Sequence, residues 1–133
     1  MGSPLLAKIY DVVLAPTEWM GVRDQRRRLM EGLTGRVVEI GAGTGLNVPL
    51  YPASAAEVHA VEPDSHMIEK LQSKARSSPT RLFPYRADAH HLPFTDGVFD
   101  SAIVTFALCT IPDPERALNE AHRVVRTGGV LRF

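Results

Sequence analysis

Apolar residues along this chain switch between helical and strand-like spacing several times. From Thr17 to Leu33, Trp19, Val22, Leu29 and Leu33 recur at helical intervals. Arg26 interrupts that stripe, within the run Arg26-Arg27-Arg28, which reads as a solvated helix face. An arginine in an apolar stripe is expected to pack its stem and keep its head in water. Gly35 is expected to end this helix, and Val37-Val38-Glu39-Ile40 forms a short strand that runs into Gly41, Gly43 and Gly45. A brief helical turn follows and is cut short by Pro49 and Pro52.

Glu57 to Val61 reads as a second strand, with Val58 and Ala60 on one face. Asp64 is a suitable N-cap for a helix whose apolar stripe is Met67, Ile68, Leu71 and Ala75. Arg81 to Ala87 reads as a third strand, and Pro84 inside it points to a sheet edge. After a polar loop with an Asp96-Gly97 turn, Phe99 to Thr105 is a fourth strand. Asp113 followed by Pro114 and Glu115 starts a helix that buries Ala117, Leu118, Ala121, Val124 and Val125 and is expected to stop at Gly128-Gly129. A fifth strand is expected from Val130. Strands alternating with helices imply an α/β fold, a parallel sheet with helices on both faces, and a ligand site beyond the carboxyl ends of the strands.

Composition adds boundaries rather than direction. The 133 residues suit one domain, and fifteen basic residues balance fifteen acidic ones, so no overall field favours nucleic acid or anionic membrane. No apolar run is long enough to span a bilayer, the first residues lack the pattern of a signal peptide, and a lone Cys109 suits a reducing compartment; a cytoplasmic protein is expected. His59, His66, His90, His91 and His122 show no metal-ligand spacing with Cys109 or one another, so no metal is expected.

The glycine turn separates ligand classes. Dinucleotide binding requires G-x-G-x-x-G, which from Gly41 would place glycine where Leu46 stands, and no Tyr-x-x-x-Lys pair is present for hydride chemistry. The stretch Glu39-Ile-Gly-Ala-Gly-Thr-Gly45 instead resembles motif I of the class I S-adenosylmethionine-dependent methyltransferases. The resemblance continues through Val61-Glu-Pro-Asp64, Arg86-Ala-Asp-Ala89, Phe99 to Thr105, Ile111 to Leu118 and Val124 to Val130. It implies a Rossmann-like, doubly wound, mostly parallel sheet in three layers, with S-adenosylmethionine as cofactor and S-adenosylhomocysteine as product.

The resemblance also assigns residues. Glu39 would help to hold the methionine portion, flanked by the backbone of Gly41, Ala42, Gly43 and Gly45, with Asn47 and Thr105 nearby. Glu62, about 20 residues beyond the turn, would accept both ribose hydroxyls. Asp88 and the Ala89 amide would meet adenine, with Pro63 and Met67 against its faces. No catalytic base is assigned, since displacement at a sulfonium needs chiefly alignment. Cys109 reads as a small buried thiol more readily than as a nucleophile, although it falls, with Phe106, on the acceptor side.

Within the superfamily the chain is most similar to the small-molecule branch acting on quinones, phospholipids and thiols, through Tyr10-Asp11, Gly45 to Pro52 and Thr105 to Ile111. A lid over residues 1–34, carrying Tyr10 and Trp19, would complete a pocket for a small-molecule or lipid-like acceptor above a core of residues 35–133. The family sheet has seven strands, and this sequence ends within the fifth, without the C-terminal hairpin. That implies an incomplete acceptor pocket and an open strand-five edge suited to self-association. A non-catalytic cofactor-binding fragment is the rival expectation, and an NAD-dependent oxidoreductase a weaker one.

Overall fold

The computed structural model describes residues 21–133. The first described helix, α1 (Arg23–Met30), lies within the expected lid stretch; Tyr10 and Trp19 lie outside the described residues. Five strands follow, β1 (Gly35–Ile40), β2 (Ala55–Val61), β3 (Arg81–Tyr85), β4 (Phe99–Ile103) and β5 (Val125–Arg132). Helix α2 (Ser65–Ala75) joins β2 to β3, and α3 (Pro114–Val124) joins β4 to β5. Single 3₁₀ turns occupy Val48–Leu50 and Leu108–Thr110.

All neighbouring strands are parallel, in the order β3-β2-β1-β4-β5. β3 is an edge strand, as Pro84 requires. Side chains alternate between two cores. Val37, Val58, Ala60 and Ile103 pack with Met30 of α1 and Ile68 and Leu71 of α2. Val38, Ile40, Val61 and Ala102 pack with Ala117, Ala121 and Val124 of α3. This period-two division makes the three layers and leaves β1, flanked on both sides and buried from Val37 to Ile40, at the centre of the sheet.

The helix starts form as their caps dictate. Asp64 Oδ1 accepts from the amides of His66 and Met67 at 2.9 and 3.0 Å, and Asp113 Oδ1 accepts from the Arg116 amide at 3.0 Å with Pro114 in the first turn. The end of α3 differs from expectation. The helix stops at Val124, where Val125 is already extended and paired opposite Phe99. While β4 then advances to Ser101, β5 advances to Val130, so Gly128-Gly129 form a bulge inside the strand rather than a helix stop. The bulge brings backbones so close that a Cβ on Gly129 would lie 2.7 Å from the Asp100 carbonyl and 2.9 Å from that of Arg126.

Those carbonyls belong to the sheet and have little room to retreat. Gly129→Ala is therefore expected to destabilise the protein by about 1–3 kcal/mol. A lower urea midpoint with an unchanged m-value would show it, and an unchanged midpoint would mean that the bulge yields freely.

Candidate functional site

β2 and β3 extend the sheet on one side of β1 and β4 on the other, so the connections leaving β1 and β4 part above their carboxyl ends. A cleft of about 570 Å³ lies there. One wall is the glycine turn. The amides of Gly41 and Ala42 both donate to the Val61 carbonyl, at 2.9 and 3.0 Å, folding the turn over the end of β2.

The three glycines have different reasons to be glycine. All have positive φ. A Cβ on Gly41 would collide with Ala107 at 2.5 Å, and one on Gly45 would press on Leu71 and Val48 at 2.9 and 3.0 Å. Gly45 thus serves packing against α2 and does not line the cleft. At Gly43 a Cβ would meet nothing within 4 Å: its open side faces the cleft, so the backbone is available to a ligand.

Glu62, at the end of β2, is 6% exposed and lines the cleft. Its Oε2 accepts from the Gly43 amide and its Oε1 from the Asp64 amide, each at 2.9 Å. One bond per oxygen leaves acceptor capacity for a ligand's hydroxyl groups. Burial raises its pKa, against the pull of the two amides. Pro63 and Met67 add apolar surface, and Ile111 and Pro112 line the cleft after β4.

Asp88 and Ala89 also line the cleft. Asp88 Oδ1 accepts from the His90 amide at 2.9 Å and pairs with His90 Nδ1 at 2.8 Å, while His90 Nε2 reaches the Asp113 carbonyl oxygen at 3.1 Å. His90 is thus a cleft residue that holds its loop to the start of α3. Further along, Glu120 Oε2 accepts from the Leu92 amide at 2.8 Å, and Arg123 donates to the carbonyls of Leu92 and Phe94 at 3.1 and 2.8 Å. The Arg123 guanidinium holds Glu120 down at about 2. Helix α3 therefore positions the loop that carries Asp88.

Glu39 does not line the cleft. It is 1% exposed beneath the turn, where Asn47 Nδ2 donates to Oε1 at 2.5 Å and the Tyr51 hydroxyl donates to Oε2. Asn47 Nδ2 also donates to Thr105 Oγ1 at 2.7 Å. Arg26 completes the network, donating to Asn47 Oδ1 at 3.2 Å and Thr105 Oγ1 at 3.3 Å. Its guanidinium lies 4.9 Å from the centre of the Phe106 ring. Arg26 is 7% exposed and its head is bound, so the expected wet head is corrected: the network draws it inward. Arg27 and Arg28 are exposed, as read.

Thr105 and Phe106 line the cleft. Phe106 has φ 53°, the only positive value at a non-glycine among the described residues, a conformation costing about 1–3 kcal/mol. Cys109 is exposed rather than buried, outside the cleft lining, because the 3₁₀ turn Leu108–Thr110 carries it outward.

Most of the expected cofactor residues therefore converge: Gly41, Ala42, Gly43, Glu62, Pro63, Met67, Asp88, Ala89 and Thr105 share one cleft. Glu39 and Asn47 support it from below, and Gly45 from behind. Sequence reasoning missed the site contacts of Arg26 and Tyr51; only Arg26 left a signal, as a charge inside an apolar stripe. No group of three or more potential metal-ligating side chains gathers among the described residues. No helix among them is long and apolar enough to cross a membrane.

A parallel sheet reversing at β1, with a glycine turn and a carboxylate after β2, defines a doubly wound α/β protein with a ligand-sized cleft at its strand ends, and comparison narrows the class. The methyltransferase-domain family matches residues 38–133. A phosphatidylethanolamine N-methyltransferase of Cereibacter sphaeroides is 36% identical over 71% of this chain and 47% of its own. A human thiol S-methyltransferase is 32% identical over 91% of this chain and 54% of its own. The crystal structure of a SAM-dependent methyltransferase from Thermotoga maritima superposes with a TM-score of 0.69 at 31% identity, covering 95% of this chain and 57% of that one. The chain belongs to the class I S-adenosylmethionine-dependent methyltransferase family, not to the dinucleotide-dependent oxidoreductases. It spans about half the length of these relatives.

Burial pushes Glu39 up to about 6, against hydrogen bonds from Tyr51 and Asn47 and the charge of Arg26. The folded protein thus holds this proton more tightly than an unfolded chain, whose value is 4.5. The associated stability is present below pH 4.5 and is lost as pH rises through about 6. Relative to Glu39→Gln, wild-type stability should fall by about 2 kcal/mol across that window. Parallel denaturation curves for the two proteins from pH 4 to pH 7 measure this difference.

Proposed function

We propose that the chain binds S-adenosylmethionine in the cleft and transfers its methyl group to a small-molecule or lipid-like acceptor. The observation that carries this reading is the Glu62 carboxylate, buried at the lip of the cleft and tied to Gly43 across from it. Glu62 would accept hydrogen bonds from the ribose hydroxyls. Asp88 and the Ala89 amide would take the adenine edge, and Pro63 and Met67 its faces. The open side of Gly43 lets the backbone approach the methionine portion. Glu39 acts from beneath, as negative charge favouring a cation and through Asn47 and Thr105, rather than by contact.

The residues fit the cofactor, because the cleft is of nucleoside size and combines one buried carboxylate with apolar walls. S-adenosylmethionine supplies an electrophilic methyl on a sulfonium, a leaving group already activated. What remains for the protein is to align the acceptor and exclude water, which is worth roughly 7–11 kcal/mol. No dedicated base is required unless the acceptor must lose a proton. Similarity to enzymes named for phospholipid and thiol methylation supports an acceptor of modest size with apolar character.

Calorimetric titration tests the reading. S-adenosylmethionine and S-adenosylhomocysteine should bind and NAD should not. Glu62→Ala should weaken both ligands alike, by about 1.5–3 kcal/mol, since both carry the same ribose. Asp88→Asn should cost less. Binding of NAD, or a Glu62→Ala variant with wild-type affinity, would overturn the assignment.

A further inference from the structure

The Asp88 side chain is 59% exposed. The last torsion of an aspartate is broad, so burial does not decide which oxygen it offers to the cleft. Two donors decide it. The His90 amide and the His90 ring Nδ1 both reach Oδ1, at 2.9 and 2.8 Å. Among the described residues, every hydrogen bond and ion pair of the Asp88 side chain falls on this one oxygen. Oδ2 therefore keeps its acceptor capacity for a ligand.

The ring is held at its other edge as well. Since an ionised carboxylate only accepts, the bonded Nδ1 carries a proton. Nε2 lies between the Asp113 amide, at 3.3 Å, and the Asp113 carbonyl oxygen, at 3.1 Å. A neutral ring accepts from the amide there, and a doubly protonated one donates to the carbonyl. The loop does not depend on this ring for its place. The His91 amide donates to the Asp88 carbonyl at 3.0 Å, and Glu120 and Arg123 grip the backbone at Leu92 and Phe94. What the ring adds is a hold on a side chain. The His90 amide alone would let the carboxylate pivot about Oδ1, and a second donor on the same oxygen removes that freedom.

We infer that His90 is a positioning residue for base selection: its ring fixes Asp88 with Oδ2 left for the ligand, so the cleft selects a purine that carries an exocyclic amino group. The inference rests on the S-adenosylmethionine reading and extends it to what sets base selectivity. An amino group on the base meets an oxygen already in place, so no ordering of the carboxylate is charged to binding. A base without that group leaves the oxygen unpaired against it. His90 acts through Asp88.

Calorimetry on the whole chain with two ligands tests this: S-adenosylhomocysteine, and its purine analogue, which lacks only the exocyclic amino group. The wild-type chain should prefer the first. His90→Leu removes both ring bonds and should weaken S-adenosylhomocysteine by about fivefold, the worth of one hydrogen bond, with the analogue unchanged. His90→Asn, whose amide stands where Nδ1 stood, should restore the preference. His90→Gln, whose amide stands where Nε2 stood, should not. Equal weakening of both ligands by His90→Leu, or of neither, means that the ring only ties down its loop and overturns the inference. A wild-type chain that does not distinguish the ligands overturns it too, as does a preference kept by His90→Gln and lost by His90→Asn. If S-adenosylhomocysteine does not bind the wild-type chain at all, the S-adenosylmethionine reading falls, and the role of His90 falls with it.

Discussion

A carboxylate inside a protein must be given partners or it gives up its charge, and the organisation around this cleft follows from how Glu39 is treated. It stands on the central strand, on the same face as Val37, where α1 and α2 cover the sheet. Its two oxygens draw in Asn47 and Tyr51 from the segment after the glycines. Asn47 in turn engages Thr105 beyond β4 and Arg26 from α1. One buried acid thus ties the segment after the glycines to α1 and to the end of β4, and the glycine turn rests on the result.

Much of this was readable from the chain. Period-two spacing in β2, the caps Asp64 and Asp113, and Pro84 at an edge each follow from local chemistry, and each is found as expected. The sheet pattern put a ligand site at the strand ends, and the resemblance to class I methyltransferases assigned the residues there. What escaped notice depends on tertiary partners. Arg26 looks like a surface residue until Asn47, Thr105 and the Phe106 ring are brought to it, and Tyr51 carries no sign that it will face Glu39. Gly128-Gly129 reads as a helix stop by composition, yet Val125 pairs with Phe99 first and moves the boundary forward. Cys109 reads as a buried thiol, as free cysteines commonly are, whereas a single 3₁₀ turn points it outward.

Helix α3 shows how far a site can reach from its own lining. None of Leu92, Phe94, Glu120 and Arg123 lines the cleft, but together they fix the loop that presents Asp88 and Ala89. His90 adds a second tether at Asp113. A flexible polar loop would present its carboxylate in many orientations; this one is held at both ends of one helix. The amphipathic pattern of α3 explains how its inner face packs on the sheet, and its polar face has this separate task.

The two oxygens of Glu62 carry a last consequence. By accepting from Gly43 on one side and Asp64 on the other, the carboxylate staples the turn after β1 to the start of α2 before any ligand arrives. The ordering entropy of these two loops is therefore charged to folding and not to association. Ligand entry need not wait for the loops to assemble around it, so the cleft works as a rigid receptor whose selectivity is set by shape and fixed dipoles. The cost is plasticity: a ligand that needs the two loops further apart must first break a buried, charge-assisted clasp.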